Sequence, residues 1–252
     1  MNGPTGRTDH YSYSVYADPA TAEAFDARRF GGPIGRLVAV TQEAVLTEFL
    51  GPVVGRTVLD VGTGTGRAAI ALAKRGAIVT GVDASAEMLA VAVRRAETAG
   101  VRVIFAQGDA HALTCDDRAF DAVVCLRVLM HTPGWRQSLA ELCRAARHVV
   151  IFDYPALRST AALQAAWRRL THALGVRTEP YRVFSDTSIR SALLSSGFRV
   201  RSVHRQFVLP IALHKAIGSV AFTTHVEDAL AAVGVRRLFG SPVTVVAERC
   251  AS

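Results

Sequence analysis

The stretch VLDVGTGTGRAAIALAKRGAIVTGVD, Val58 to Asp83, decides how the rest of the chain reads. TVLDVG is a short apolar run of the kind that forms a buried strand, and RAAIALAKRG has helical spacing and stops at Gly76. AIVTGVD then repeats the strand pattern. Strand, glycine turn, helix and strand make a βαβ unit, which requires parallel strands. Glycines 62, 64 and 66 stand between the first strand and its helix. That is the crevice at the carboxyl end of a strand where open α/β sheets take ligands. Glycine there lets the backbone turn sharply and approach a ligand closely.

The same rhythm continues on both sides. Ser85 caps a helix over AEMLAVAVRRAETA, with Glu87 in its first turn and Gly100 beyond its end. VRVIFAQGD and FDAVVCL read as a third and a fourth strand. Thr132 caps a helix over 134–146, with Pro133 in its first turn, and HVVIFDY is a fifth strand. Beyond Pro155 the alternation loosens into a helix near 159–174 and a short helix near 187–196. FRVRSVHRQF and PVTVVAER then read as an antiparallel hairpin with a helical insertion at its tip. Upstream, helices near 19–30 and 36–50 are split by FGGPIG, Phe30 to Gly35. The expected architecture is α/β with a doubly wound parallel sheet. Residues 1–55 form an N-terminal helical cap segment, and 56–252 form the main domain with lid elements in 156–242.

Composition bounds the function. Half of the 252 residues are hydrophobic, which suits a globular core. Four cysteines with no CxxC pair, and no histidine cluster at ligand spacing, argue against a disulfide framework or a metal site and fit a reducing cytoplasm. The first ten residues lack the apolar core of a signal peptide, and no apolar run is long enough to span a bilayer. The formal charge of +8 rests almost entirely on arginine, with Lys74 and Lys215 as the lysines. No block of five basic residues occurs, so a solvated basic surface is favoured over a nucleic-acid footprint.

The glycine loop also constrains its ligand. The spacing is GxGxG, not the GxGxxG that seats a pyrophosphate on a helix N-terminus. Asp60, two residues before Gly62, would repel a pyrophosphate but could hold an ammonium group. Asp83 ends the second strand, where an acid can accept hydrogen bonds from ribose hydroxyls. The implied ligand has a ribose and a positive charge and no phosphate. S-adenosyl-L-methionine fits that description; NAD fits poorly.

From Val58 to Leu89 the chain resembles the first and second motifs of class I S-adenosylmethionine-dependent methyltransferases. It is most similar to the subgroup of ubiquinone/menaquinone-biosynthesis and small-molecule enzymes, and the resemblance covers residues 56–153. It implies that Gly62, Gly64 and Gly66 flank the methionine part, that Asp60 meets its amino group, and that Asp83 with Ala84 meets the ribose. QGDAHAL resembles the third motif, so that Asp109 would face the adenine amino group and Ala110 its plane; Asp109 also reads as a turn acid. Leu126 joins this cofactor-binding set. The family's fold is a Rossmann-like seven-stranded sheet whose last strand is antiparallel, here with a helical N-terminal segment and a helical lid insertion.

Methyl transfer from a sulfonium is an in-line displacement, so the protein mainly aligns the partners and excludes water. A phenolic acceptor near its ordinary pKa also needs a base. His131, six residues past the fourth strand, is the candidate general base; it also reads as a side chain packed under the next helix. Arg127 is the second catalytic candidate, for an anionic acceptor or the cofactor carboxylate, against a surface ion pair. Met130 reads as lining. Enzymes that methylate base amines resemble one another in an Asn/Asp-Pro-Pro-aromatic sequence at this strand end. Here Leu126-Arg127-Val128-Leu129 stands instead, which argues against DNA or RNA amino-methylation and says less about other nucleic-acid chemistry. Tyr11, Tyr13 and Tyr16 are candidates to fold over the cofactor, and Arg36 to reach its carboxylate. His214 and Glu227 are candidates for an acceptor pocket or plain surface positions; His111, His148, His172 and His204 read as structural or exposed.

The expected function is methyl transfer from S-adenosyl-L-methionine to an oxygen or carbon nucleophile of a small phenolic, quinone-like or other metabolite. The chain is expected to act in the cytoplasm as a monomer or homodimer. Alternatives are an RNA or protein methyltransferase, and a cofactor-binding module without transfer activity.

Overall fold

Seven strands form one sheet in the order β3-β2-β1-β4-β5-β7-β6. The computed structural model describes residues 19–162, 164–166 and 181–251. Tyr11, Tyr13, Tyr16, His172 and much of the helix expected at 159–174 lie outside them; residues 160–162 and 164–166 are helical. Strands β1 (Thr57–Val61), β2 (Ile78–Asp83), β3 (Ile104–Gln107), β4 (Phe120–Cys125) and β5 (Ala146–Tyr154) run parallel. Strand β7 (Ser241–Arg249) enters antiparallel between β5 and β6 (Phe198–Phe207). The sheet is the one the sequence predicts, with its antiparallel last strand.

Alternation along the strands explains why both faces are covered. Leu59, Val61, Val123 and Cys125 face one core layer with Leu139 and Leu142, whereas Val58, Ala122 and Val124 face another with Val45, Leu46 and Phe49. Parallel strands buried on both faces read as near-continuous apolar runs; AVVC does so, and VLDV is interrupted only by Asp60. Each fully buried Leu of this kind contributes about 1.5–3 kcal/mol relative to exposure. The first layer is closed by α5 (Trp135–Ala145) and α6 (Asp186–Ser195), the second by α2 (Gly32–Leu50) and α3 (Arg67–Lys74).

Local signals set most of the helix ends. Ser85 Oγ accepts from Met88 N at 3.0 Å to start α4 (Ala86–Thr98), and Ser185 Oγ accepts from Ser188 N at 3.1 Å to start α6. Two expected boundaries move. Helix α2 begins at Gly32 and not near residue 36, because Pro33 is tolerated in a first turn; the break from α1 (Pro19–Phe30) is confined to the extended Gly31. Thr132 does not cap α5. Its hydroxyl donates back to Leu129 O at 3.0 Å, closing a 3-10 turn over Leu129–His131, and Gly134 precedes the helix.

The segment between β6 and β7 folds into α7 (Ile211–Ile217), α8 (Val220–Ala232) and α9 (Val235–Phe239). His214 and Glu227 are neither pocket nor surface residues: both are buried inside this insertion. His214 Nε2 lies 3.0 Å from Glu227 Oε1 and its Nδ1 lies 3.0 Å from Thr223 Oγ1. Glu227 also accepts from Val208 N and Leu209 N at 2.8 and 3.0 Å. This network ties α7 and α8 to the end of β6, since each buried polar group must find a partner. Among the described residues, no helix is long and apolar enough to cross a membrane.

Candidate active site

The strand order reverses at β1, which has β2 on one side and β4 on the other. Register places Asp60 opposite Gly81 on β2 and Val124 on β4, so the ends of all three strands open into one crevice. A cavity fills it, walled by Asp60, Gly62 and Gly64, by Asp83 and Ala84, and by the segment after β4. Helix α1 supplies a further wall through Asp26, Arg29 and Phe30, and no described residue of 156–242 lines it.

The glycine loop has three different reasons for its three glycines. All three have positive φ, at 70°, 54° and 77° for Gly62, Gly64 and Gly66. A Cβ on Gly62 would run into Val128 Cγ2, whereas one on Gly64 would meet nothing within 4 Å. The Gly64 backbone therefore presents an open cradle to the cavity. Gly66 does not line the cavity: a Cβ there would press on Ala92 and Phe105, so its smallness serves close packing of the loop against α4 and β3.

Two carboxylates flank the cradle. Asp60 is 2% exposed and accepts from Thr63 Oγ1 at 2.7 Å. Burial raises its pKa to about 6, against the pull of the Thr63 hydroxyl and of Arg67. Asp83 accepts from Gly64 N at 2.7 Å through one oxygen and from Ser85 N at 3.0 Å through the other. Burial raises its pKa too, opposed by the Ser85, Gly64 and Ala84 amides. Each carboxylate oxygen has a further lone pair, so these bonds fix Asp83 without exhausting it.

Beyond β4 the chain turns through Arg127, which has φ 66° although it is not glycine. Its backbone amide donates to Asp153 Oδ1 at the end of β5, and its guanidinium lies 3.9 Å from Asp153 Oδ2. Asp153 is 2% exposed; burial raises its pKa, and Arg127, Arg29 and Arg67 oppose the rise. Arg127 Nε and Asp153 Oδ2 are both buried without a hydrogen-bond partner among the described residues. Leu126, Arg127, Val128 and His131 all line the cavity, His131 from the 3-10 turn. Met130, by contrast, is buried in the core and not on the wall.

Of the predicted site residues, the cavity thus gathers Asp60, Gly62, Gly64, Asp83, Ala84, Ala110, Leu126, Arg127 and His131. Asp109 is not on the wall. Its Oδ1 accepts from the His111 amide at 2.8 Å and meets His111 Nδ1 at 2.7 Å, while Gly108 and Ala110 on either side face the cavity. Arg36 is exposed and away from the cavity; Arg29 and Arg67 stand there instead. Arg67 lies over the Phe30 ring at 4.2 Å and hydrogen-bonds Gln42, and burial lowers its pKa against Asp26 and Asp60. Asp26 accepts from Thr65 Oγ1 at 3.0 Å and pairs with Arg95, which pins α1 to the glycine loop. Sequence reading missed Asp26, Arg29, Arg67 and Asp153. Arg67 could have been suspected from its place directly after the glycines; the others come from distant segments with no local motif.

Residues 58–149 match the family described as a methyltransferase domain. A ubiquinone biosynthesis O-methyltransferase of Coxiella burnetii is 44% identical over 91 residues, which are 36% of this chain and 38% of that protein. A demethylmenaquinone methyltransferase of Thermus thermophilus is 38% identical over 105 residues, 40% of this chain and 48% of that one. The chain thus matches less than half the length of these relatives. Whole-chain likeness appears in structure. The crystal structure of magnesium protoporphyrin IX methyltransferase from Synechocystis, with S-adenosylhomocysteine bound, has TM-score 0.66 at 18% identity over 95% of this chain and 98% of its own. A cyclase structure also shares the fold, with TM-score 0.61 at 20% identity, over 84% of this chain and 81% of its own. Residues 58–149 match the methyltransferase domain family, and the chain around them shares the fold of solved S-adenosylmethionine-dependent methyltransferases.

Proposed function

We propose that the chain binds S-adenosyl-L-methionine in this cavity and transfers its methyl group to an oxygen or carbon nucleophile of a small molecule. The observation that carries the reading is the open cradle at Gly64 between two carboxylates, the buried Asp60 and the half-buried Asp83. That donor set suits a ligand with hydroxyls and a positive charge and disfavours a pyrophosphate. Asp83 would hold the ribose, Asp60 the ammonium group, and Arg29 or Arg67 the carboxylate of the methionine part. Gly108 and Ala110 would border the adenine. When bound, the cofactor supplies a methyl group already activated by its sulfonium.

The acceptor then belongs at the β4 end of the cavity. His131, which lines the cavity, would take the proton from an acceptor hydroxyl onto an imidazole nitrogen, a step a phenol needs at neutral pH. Arg127, set in its turn by Asp153, would hold a negative charge on the acceptor. Relatives named for ubiquinone and demethylmenaquinone synthesis favour a phenolic or quinone-like ring.

The test is calorimetric titration of the full-length chain with S-adenosylhomocysteine, followed by a labelled-methyl screen over phenols, quinols and carboxylates. Saturable binding and transfer to one of these classes are expected, and absence of binding would sink the reading. With the acceptor in hand, His131→Ala should lower turnover and remove a limb of its pH profile. An unchanged profile would take His131 out of the mechanism.

A further inference from the structure

A second cavity shares no lining residue with the first. It lies at the outer edge of the sheet, between β6, the start of α6 and the short α9. Its basic wall is Arg190 from α6, His204 and Arg205 from β6, and Arg236 and Arg237 from α9. The one carboxylate on that wall is Asp186, and both of its oxygens are engaged. Oδ1 accepts from the Tyr154 hydroxyl at 2.8 Å, and Oδ2 pairs with Arg205.

That pairing leaves three guanidinium groups without a carboxylate in the cavity. Among the described residues, the ion pair of Arg236 is with Asp228, which is well exposed and 4.0 Å away. An ion pair at that distance, open to water, offsets little of the local positive charge. His204 Nε2 is buried with no hydrogen-bond partner among the described residues. Burial and then Arg236 lower the pKa of His204, with Glu48 acting the other way, which favours its neutral form. A neutral imidazole carrying its hydrogen on Nε2 is a donor, like the arginines beside it.

We propose that this cavity is a second binding site, for a small oxyanion ligand: a phosphate or carboxylate group of a metabolite held by Arg190, Arg236 and Arg237 with His204 donating beside them. Guanidinium forks match both groups in shape and charge. A concave site suits a small ligand, and the arginines are not interleaved with the stacked aromatic platform that single-stranded nucleic acid uses. Tyr154, the aromatic on this wall, is buried and packs on Phe152 and Phe184. The proposal does not depend on the chemistry of the first cavity.

The experiment is calorimetric titration of the full-length chain with pyrophosphate and, separately, with citrate, at an ionic strength fixed with sodium chloride. At least one anion should bind saturably at one site. The exposed pair Arg190→Gln/Arg237→Gln should weaken it by about tenfold or more. S-adenosylhomocysteine titrated into the same double variant should behave as with wild type, which shows that the fold survives. Preference for pyrophosphate identifies a phosphate ligand, and preference for citrate a carboxylate one. The proposal is overturned if neither anion binds saturably, if the double variant binds as tightly as wild type, or if S-adenosylhomocysteine displaces the anion. Binding of an RNA oligonucleotide alone, with a steep salt dependence, would also overturn it.

Discussion

The two cavities invert each other's electrostatics. At the crevice of β1, β2 and β4, the glycine cradle is flanked by the buried Asp60 and the half-buried Asp83, and Arg29, Arg67 and Arg127 also line the wall. At the edge of β6 the arginines dominate, and the single acid is spent on Tyr154 and Arg205. The first arrangement suits a polyol with a positive charge, the second an oxyanion. The contrast also separates the sources of specificity. The first site depends on backbone geometry that only glycine allows, whereas the second is made of long side chains projecting from ordinary helix and strand positions.

The sharpest way to break this comparison is Asp83→Ala. It removes an acceptor for the ribose and frees the Gly64 amide, so affinity for S-adenosylhomocysteine should fall by about 100-fold, roughly two charge-assisted hydrogen bonds. Anion binding at the second cavity should not change. Calorimetry with both ligands reads both outcomes, and an unchanged first affinity would show that the carboxylate does not touch the ligand.

Next in size is the pair Gly62→Ala and Gly64→Ala. Both place a side chain at positive φ, a cost of about 1–2 kcal/mol. Gly62→Ala also drives Cβ into Val128, adding about 1–3 kcal/mol of overpacking, so it should lower the unfolding midpoint clearly further. Gly64→Ala projects into open space and should show its main effect as lost S-adenosylhomocysteine affinity. Equal stability losses would mean that the cradle is not as open as it stands here.

The smallest expected effect is a pH dependence. Asp60 titrates at about 6 in the folded chain because of burial, above the 3.8 of an unburied aspartate. Its ionised form is the one that attracts an ammonium group. Affinity for S-adenosylhomocysteine should therefore fall by up to about tenfold per pH unit below 6, and Asp60→Asn should flatten that slope. Stability moves the opposite way. A raised folded pKa favours the fold below the unfolded value, and this advantage is lost as pH rises through about 6.

The parts of the fold that sequence made legible are those with short-range causes. The strands VLDV, AVVC and FRVRSVHRQF, the Ser85 cap and the glycine turns each rest on alternation, capping or backbone freedom within a few residues. The same holds for most of the first cavity, because a parallel sheet brings strand ends together by rule. Misreadings came where side-chain direction and burial decided the outcome, even between near neighbours in the chain. Asp109 turns to His111, and Thr132 turns back to Leu129 in place of capping α5. His214 disappears into a network with Thr223 and Glu227. Nothing local distinguishes a histidine that lines a pocket from one that satisfies a buried glutamate.

The sequence by itself determined the order of strands and helices, the glycine cradle and the two acids beside it. These follow from periodicity and from what glycine and a strand-end carboxylate can do. Only the tertiary structure decided that Asp153 sets Arg127, that Asp26 locks α1 to the glycine loop, and that arginines of α6, β6 and α9 converge on one cavity. Those arrangements join residues tens of positions apart. Their free energies depend on burial and distance, which no local pattern of residue types encodes.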